Sequence, residues 1–459
     1  MTTHFDAIIV GAGQAGPPLA ARLAGAGMKV ALVERKFLGG TCVNTGCTPT
    51  KAMVASAYAA HLTRRAAEYG VRGVGAVSVD MKAVKARKDA IVETSRKNLS
   101  DWLRGIENLS LIEGHARFVS ADELTVGDAR ISAPRIFLDL GGRAAVPDYP
   151  GTHDVGYLTN STILDLAVVP EHLVIVGGGY VGLEFAQMFR RFGAEVTVVQ
   201  RGPRLLPRED EDVSEAILDM LQAEGIKFRL EAECISFARR GEQKVVGLNC
   251  HQGEPDVAGS HVLLAIGRTP NTGDLGLDMA GVKVDERGIV EVDDELRTSV
   301  PGIWALGDCN GRGAFTHTSY NDYEIVAENL LDNAGRKVTD RHTAYALYTD
   351  PPLGRAGMGE ADARRAGYSI LVGKRPMTRV ARAVEKGETT GFMKIITDAG
   401  SGRLLGAAIL GVGGDEAVHS VLDLIHMDAS AEALRRSVHI HPTVAELLPT
   451  LVAEQEPAG

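Results

Sequence analysis

Two cysteines separated by four residues carry the clearest chemistry in this sequence. Cys42 and Cys47 lie in the segment Gly39-Gly-Thr-Cys-Val-Asn-Thr-Gly-Cys-Thr-Pro-Thr-Lys51. Free cysteines are often small buried hydrophobes, but this segment is too rich in glycine and asparagine for a core helix. Cys47 is expected near a helix N-terminus, where the helix dipole favours a thiolate, and Lys51 adds positive charge one turn later. The pair predicts a dithiol that cycles with a disulfide.

A candidate acid–base pair lies near the end of the sequence. His441 and Glu446 belong to the segment Val438-His-Ile-His-Pro-Thr-Val-Ala-Glu446. Dithiol exchange needs a group that takes and returns a proton near neutral pH, which histidine does, and a carboxylate can fix the tautomer of its ring. A histidine of this kind is by itself more often structural than catalytic. Its assignment therefore depends on the cysteines.

The elements that must position these groups include a nucleotide-binding unit at the start of the chain. Residues 6–34 read as strand, glycine turn, helix and strand, with the turn Gly11-Ala-Gly-Gln-Ala-Gly16 and the acid Glu34 at the end of the second strand. The first glycine makes the turn, the second lets the backbone approach a pyrophosphate and the third packs helix on strand. Glu34 is expected to accept the ribose hydroxyls of an adenosine.

The same pattern recurs 166 residues later, which is the strongest sign of internal organisation. The turn Gly177-Gly-Gly-Tyr-Val-Gly182 follows a predicted strand, and the strand Glu195–Val199 is followed by Gln200 and Arg201 rather than by an acid. A neutral residue with a nearby arginine suits a 2′-phosphate and favours NADPH. Alternatively, the arginine belongs to a solvated basic turn that binds no phosphate, and NADH stays possible. Two such units predict two nucleotides.

The bulk composition excludes several classes of protein. The chain has 459 residues, a formal net charge of −10 and five cysteines. This length suggests roughly three domains, and the acidic balance argues against a nucleic-acid or anionic-membrane surface. Sparse, odd-numbered cysteines do not form a secreted disulfide framework. We find no signal peptide or membrane span and expect a cytoplasmic protein.

In combination, these motifs resemble the pyridine nucleotide–disulfide oxidoreductases, such as glutathione reductase, dihydrolipoamide dehydrogenase and mercuric reductase. The resemblance covers essentially the whole length. It implies an α/β protein with two Rossmann-like domains for FAD and NAD(P) and a C-terminal α+β dimerisation domain. The boundaries that we expect are 1–150 and 271–340 for the FAD-binding and central parts, 151–270 for the NAD(P) domain and 341–459 for the dimerisation domain. Short strands are expected from Asp274 to Leu306.

The resemblance also assigns roles to individual residues. It implies that Cys47 is the flavin-proximal charge-transfer thiol and that Cys42 is the interchange thiol. The other implied catalytic groups are the Lys51–Glu184 ion pair beside the flavin N5, and the His441–Glu446 dyad, which the family supplies across a homodimer. Tyr180 resembles the aromatic gate over the nicotinamide. The residues expected to bind the two cofactors are Gly11, Gly13, Gly16, Glu34, Arg35, Gly40, Thr41, Ala116, Asp308, Gly177, Gly179, Tyr180, Gly182, Gln200, Arg201 and Gly267. No metal site is predicted.

The implied function is that of an FAD-dependent NAD(P)H:disulfide oxidoreductase. Reducing equivalents would pass from NADPH through FAD to the Cys42–Cys47 disulfide and on to a small-molecule or protein disulfide. Two alternatives stay open: reduction of Hg²⁺, Cu²⁺ or a quinone, and a dihydrolipoamide dehydrogenase-type subunit that serves a partner enzyme.

Two departures from the family bear on the substrate. The last cysteine is Cys309, so the sequence lacks the C-terminal vicinal pair of mercuric reductases, and Asp139-Leu-Gly141 stands where the family usually has Ala-Thr-Gly. The first departure speaks against a mercuric reductase and predicts that the disulfide meets its substrate directly. The sequence does not name that substrate.

Overall fold

The central strands of the N-terminal sheet carry buried apolar runs. The computed structural model describes residues 1–73, 75–250 and 253–457. Parallel strands whose two faces are both covered read as continuous apolar runs rather than as alternating patterns, which is how Ala7–Val10 and Val30–Glu34 look. The five parallel strands, in spatial order, are Ile303–Ala305, Ile136–Leu138, Ala7–Val10, Val30–Glu34 and Leu109–Glu113. The helices of this part of the chain are Gly16–Gly25, Gly40–Thr45, Cys47–Arg64, Met81–Arg104 and Thr316–Asp332.

The second glycine unit repeats this arrangement in the middle of the chain. Its four parallel strands, in spatial order, are Lys227–Arg229, Glu195–Val199, His172–Val176 and His261–Leu264. A short helix, Thr152–Val155, comes before the glycine turn of this unit. Helix Tyr180–Phe192 follows the turn, and helix Glu211–Ala223 follows the next strand. The strand predicted over Glu195–Val199 is confirmed with those bounds.

Among the described residues, three smaller sheets accompany the two units. A four-stranded mixed sheet contains Thr2–His4, Ala129–Ser132, Glu123–Val126 and Ala116–Phe118. A three-stranded antiparallel sheet contains Ala232–Arg240, Gln243–Cys250 and Asp256–Gly259. The strands Gly142–Ala144 and Arg268–Pro270 pair with each other. The segment that leads into the second unit therefore lies beside the segment that leads out of it.

The C-terminal part is an antiparallel sheet with helices. Its six strands, in spatial order, are Ala344–Leu347, Leu353–Gly357, Leu404–Leu410, Phe392–Asp398, Ile370–Pro376 and Glu456–Pro457. Its helices are Glu360–Arg365, Ala381–Glu385, Gly414–Ala417, His419–His426, Ala431–Arg435 and Leu448–Ala453. The predicted fold class, two parallel α/β units and a C-terminal α+β unit, is confirmed. The exact domain boundaries stay a prediction.

The segment between the second unit and the last strand of the N-terminal sheet differs from expectation. Instead of several short strands from Asp274 to Leu306, it forms turns joined by isolated bridges and a single strand, Ile303–Ala305. Aspartate side chains explain the difference, because they bind the backbone N–H groups that a strand would need. Asp293 Oδ1 accepts the N–H groups of Glu295 and Arg297, each at 2.9 Å.

A buried lysine ties the second unit to the C-terminal sheet. Lys394 is fully buried, and its Nζ lies 2.9 Å from Asp210, 2.7 Å from Asp212 and 2.8 Å from Glu360. Removing one partner of a buried ion pair costs about 3–5 kcal/mol, because the other charge is left uncompensated. The cluster joins these two parts of the chain, with Asp210 and Asp212 on one side and Lys394 and Glu360 on the other. Across the described ranges, no helix is both long and apolar enough to cross a bilayer.

Candidate active site

The two reactive cysteines lie on either side of a helix break. Cys42 belongs to the short helix Gly40–Thr45, and Cys47 is the first residue of helix Cys47–Arg64, as the sequence predicted. Gly46 separates the two helices, and a Cβ there would lie only 2.8 Å from the carbonyl oxygen of Thr41. Both cysteines are free thiols, so the structure describes the dithiol form of the pair.

The surroundings of the pair give the two thiols different pKa values. The pKa of Cys47 is lowered to about 6, first by a hydrogen bond from Cys42 and then by Thr316 and Lys51. The pKa of Cys42 is raised because it shares that hydrogen bond and is partly buried. Thr316 Oγ1 lies 3.3 Å from Cys47 Sγ and can donate to the thiolate. The first proton lost near neutral pH therefore comes from Cys47.

Next to the thiols, an ion pair joins the two nucleotide units. Lys51 Nζ lies 2.6 Å from Glu184 Oε2, and the Glu184 side chain is almost fully buried. The backbone N–H of Tyr348 donates to the other carboxylate oxygen at 3.1 Å. The Tyr348 ring also contacts Lys51, whose Nζ is 4.5 Å from the ring centroid. Lys51 comes from the cysteine helix and Glu184 from the helix after the second glycine turn.

Tyr180 is held in place by a shared buried carboxylate. Its hydroxyl donates to Glu209 Oε1 at 2.9 Å, and Tyr345 donates to the same oxygen at 2.6 Å. The two phenol rings meet edge to face with centroids 5.4 Å apart. Burial, with the nearby Glu209 carboxylate, raises the pKa of Tyr180, so its hydroxyl stays a hydrogen-bond donor. Arg355 Nε lies 3.9 Å from Glu209, and the same guanidinium pairs with Asp210 at 3.3 Å.

The first glycine turn has the close backbone approaches that its motif requires. A Cβ on Gly11 would lie 2.1 Å from the carbonyl oxygen of Asp139, and one on Gly16 would lie 2.3 Å from that of Gly11. Glu34 Oε2 accepts the N–H of Ala12 at 2.9 Å, which fixes the acid beside the turn.

The second glycine turn repeats this geometry around Gly177, Gly179 and Gly182. A Cβ on Gly182 would lie 2.1 Å from the carbonyl oxygen of Gly177, whereas one on Gly179 would project into open space. Gln200 Oε1 accepts the N–H of Gly178 at 3.0 Å. Arg201 is largely exposed, 3.8 Å from Glu233.

The remaining residues expected to contact cofactors surround the first turn. Asp308 pairs with Arg268 at 3.2 Å, and Arg35 pairs with Asp274 at 3.0 Å. Gly40 packs so closely on Gly13 that a Cβ would lie 2.8 Å from its Cα. Thr41, Ala116 and Gly267 line the same cavity as these residues.

One continuous cavity of about 1760 Å³ joins both glycine turns to the thiols. Single ligand pockets usually measure about 300–1000 Å³, so this cavity has room for more than one large ligand. The predicted residues on its wall are Gly11, Gly13, Glu34, Arg35, Gly40, Thr41, Cys42, Cys47, Lys51, Ala116, Gly177, Gly179, Tyr180, Glu184, Gln200, Arg201, Gly267 and Asp308. Gly16 and Gly182 lie behind it as packing glycines. Sequence reasoning missed Thr316, Tyr345 and Tyr348, which also line it.

The His441–Glu446 dyad forms but lies apart from this cavity. His441 Nδ1 is 2.8 Å from Glu446 Oε2, and neither residue lines the cavity wall. The His441 side chain is 74% exposed and faces solvent next to Val438 and Ile440, which are 97% and 81% exposed. Within one chain, the dyad therefore does not reach the cysteines.

Comparison with known families decides the classification. The profile described as pyridine nucleotide-disulphide oxidoreductase matches residues 5–322, and that of its dimerisation domain matches residues 343–452. The chain belongs to the pyridine nucleotide-disulphide oxidoreductase family. This family uses FAD and a pyridine nucleotide.

Several members of the pyridine nucleotide-disulphide oxidoreductase family are similar over the full length. The probable pyridine nucleotide-disulfide oxidoreductase RclA of Escherichia coli is 34% identical, with 97% of this chain and 98% of that protein covered. The mercuric reductase of Streptomyces lividans is also 34% identical (97% and 95% covered), and a dihydrolipoyl dehydrogenase of Chlamydia muridarum is 32% identical (97% and 96%). A solved Cu(II) complex of the HOCl-induced flavoprotein disulfide reductase RclA from Escherichia coli has a TM-score of 0.90 at 34% identity, with 99% of both chains covered.

The two glycine turns fit the dinucleotides of the family. Each has its first glycine at positive φ, +104° at Gly11 and +115° at Gly177, which L side chains rarely adopt. The open space over Gly179 is where a pyrophosphate would approach the backbone. The backbone of each turn depends on its first and last glycines, since a Cβ there would lie within 2.4 Å of a carbonyl oxygen.

Proposed function

We propose that this protein is an FAD-dependent NAD(P)H:disulfide oxidoreductase that works through the Cys42–Cys47 pair. The observation that carries the proposal is the continuous cavity, which joins both glycine turns to the two thiols. A nucleotide bound at either turn could extend through this cavity to the space beside Cys47. The family, which the full-length matches establish, supplies the reaction type.

Each residue near the thiols has a distinct role in this proposal. Bound FAD and the nicotinamide would supply hydride transfer. Lys51 and Glu184 would hold a fixed charge pair where the two units meet, Tyr180 would cover the nicotinamide pocket, and Cys47 would lie next to the flavin as a thiolate. The lowered pKa of Cys47 supports this assignment, because the residue is ionised at neutral pH while Cys42 keeps its proton.

Exchange with the substrate requires a base for Cys42. We place His441 and Glu446 of a second subunit in this role, because the dyad lies outside the cavity of its own chain and on an exposed surface. His441 would take the Cys42 proton, and the Cys42 thiolate would attack one sulfur of the substrate disulfide. The other sulfur would leave as a thiolate and receive the proton from His441. The Cys47 thiolate would then attack the Cys42 sulfur of the mixed disulfide, which restores the Cys42–Cys47 disulfide and releases the second half of the substrate as a thiolate that takes its proton from water.

The second turn supports NADPH over NADH. Gln200 bonds the turn without bringing a negative charge, and Arg201 is exposed beside it. A 2′-phosphate meets no carboxylate from Gln200 and can reach the arginine. The cytoplasmic location stays a prediction from the sequence.

A second candidate is reduction of a metal ion. It is favoured by similarity to a mercuric reductase and to RclA, which was solved as a Cu(II) complex. In this case the dithiol would bind or reduce the ion, and the His441 dyad would be dispensable.

The deciding experiment follows NADPH oxidation by the FAD-loaded protein with a panel of acceptors. The panel contains glutathione disulfide, lipoamide, a mycothiol-type disulfide, Hg²⁺ and Cu²⁺. For a disulfide reductase, we expect C42S to lose disulfide turnover almost completely while NADPH still reduces the flavin. Undiminished disulfide turnover in C42S would contradict the proposal. Metal-dependent oxidation that survives H441A would favour the second candidate.

A further inference from the structure

A buried carboxyl group lies directly beneath the first glycine turn. Asp139 is 5% exposed, and its Oδ2 accepts the N–H of Gly16 at 2.8 Å. A Cβ built on Gly13 would lie 2.7 Å from the same oxygen, so the carboxyl touches the underside of the turn. Asp139 also lines the cavity. It therefore lies at the point where the proposed site would bind the anionic pyrophosphate of FAD.

The second nucleotide unit shows the same backbone without the acid. Asp139 N donates to Val10 O at 2.9 Å, and Ala265 N donates to Val176 O at 2.8 Å. A Cβ on the first glycine of each turn would meet the carbonyl oxygen of that same residue, at 2.1 Å for Asp139 and 2.4 Å for Ala265. Ala265 is thus the counterpart of Asp139. The turn forms with an alanine in this place, so the acid is not needed to build it.

One charged neighbour opposes the ionisation of Asp139, whereas the backbone N–H groups of the glycine turn favour it. The 3₁₀ turn Gly307–Asn310 brings the carboxylate of Asp308. Asp322, on the helix behind that turn, acts on the thiol of Cys309 and is paired with Arg341. Arg268 is the nearby cation, and it is paired with Asp308 at 3.2 Å.

Burial is the largest effect on this carboxyl, ahead of Asp308. It raises the pKa of Asp139 well above the ordinary range, although the N–H groups of Gly16, Ala15 and Gly13 lower it, and the Gly16 N–H has a larger effect than Asp308. A bound pyrophosphate would add further negative charge and favour the protonated form still more.

We propose that Asp139 binds FAD as a neutral carboxylic acid, accepting the Gly16 N–H and donating its own proton to the pyrophosphate. The proposal rests on the placement of FAD at the first glycine turn. A carboxylic acid can do both at once, because one oxygen accepts while the other carries the proton. Where Asp139 is ionised in the FAD-free protein, binding takes up one proton.

The sign of the pH dependence follows from this proton. Because FAD raises the pKa of Asp139, affinity is highest below the pKa of the free protein. It falls as pH rises from there towards the pKa of the complex, by about tenfold per pH unit. An asparagine would also accept the Gly16 N–H and donate to the pyrophosphate, but it does not titrate. D139N should therefore bind FAD with little pH dependence.

The test measures the FAD dissociation constant of the FAD-free full chain by flavin fluorescence, from mildly acidic to alkaline pH. We expect wild type to weaken with rising pH, D139N to stay level and bind more tightly than wild type at the alkaline end, and D139A to bind weakly throughout. The proposal is overturned if wild type shows no pH dependence, if D139N keeps the wild-type profile, or if D139N is as weak as D139A.

Two controls separate this result from other failures. NADPH binding at the second turn reports whether each variant is folded, because Ala265 is untouched. G16A should weaken FAD binding strongly, because a Cβ would lie 2.3 Å from Gly11 O, and unchanged FAD binding in G16A would refute the placement of FAD rather than the role of Asp139.

Discussion

The two nucleotide units share a backbone and differ in the side chains that face their ligands. In both, a residue at the end of the second strand or directly after it accepts an N–H of the glycine turn. Glu34 accepts that of Ala12 at 2.9 Å, and Gln200 accepts that of Gly178 at 3.0 Å. The hydrogen bond is the same, but only the first unit brings a negative charge. Local geometry is therefore conserved within the chain, while charge separates the two sites.

The largest expected effect on cofactor affinity comes from adding a side chain to the second glycine turn while the first turn is unchanged. A Cβ on Gly182 would lie 2.1 Å from the carbonyl oxygen of Gly177, so G182A must displace the second turn. Overpacking of this kind costs about 1–3 kcal/mol, roughly a 5- to 150-fold loss of affinity. We expect NADPH binding to weaken by this factor in a titration while FAD stays bound. Loss of both cofactors would show that the units are not independent.

A smaller effect, on the preference between NADPH and NADH, is expected from placing a negative charge at position 200. Q200E keeps an oxygen for the Gly178 N–H, as Glu34 does for Ala12, but adds a carboxylate near the expected 2′-phosphate. We predict about a tenfold shift in the ratio of kcat/KM values towards NADH, because like charges are brought together. R201A is the matched comparison, since it removes attraction without adding repulsion. An unchanged ratio in both variants would mean that the preference is set elsewhere.

The smallest effect concerns the thiol between the two units. T316V removes the hydroxyl 3.3 Å from Cys47 Sγ, and a hydrogen bond to a charged group is worth about 1.5 kcal/mol or more. The pKa of Cys47, now about 6, should rise by about one pKa unit. Thiolate absorbance in the ultraviolet would then appear at higher pH than in wild type. T316S should restore the wild-type midpoint, and an unchanged midpoint in T316V would exclude this hydrogen bond as a cause.

Much of the fold was predictable because its signals are local. The glycine turns, the strand Glu195–Val199 and the start of a helix at Cys47 depend on neighbours within a few residues. The segment from Asp274 to Leu306 was mispredicted for the same reason. Short strands were expected there, whereas side chains such as Asp293 bind the backbone N–H groups that strands would need.

The parts of the site that escaped prediction depend on residues far apart in sequence. Thr316 meets Cys47 across 269 positions, and Tyr345 meets Glu209 across 136. Neither pairing leaves a periodic pattern or a motif. The departure at Asp139 was visible in the sequence, but its meaning needed the carboxyl to be located beneath the turn. His441 and the cysteines of the same chain are not brought together, so one chain does not show how the dyad would meet the thiols.

The Lys394 cluster limits how the second nucleotide can enter and leave. Its ammonium is held by Asp210 and Asp212 at the start of one helix and by Glu360 of the C-terminal part. A hinge motion of the whole unit away from that part would take Asp210 and Asp212 away from Lys394, which would keep only Glu360 as its partner. We therefore expect the nucleotide to exchange by local movement of side chains such as Tyr180 while the two parts stay together. On this expectation, the rate of exchange depends on the motion of a single ring and not on the motion of the domain that carries it.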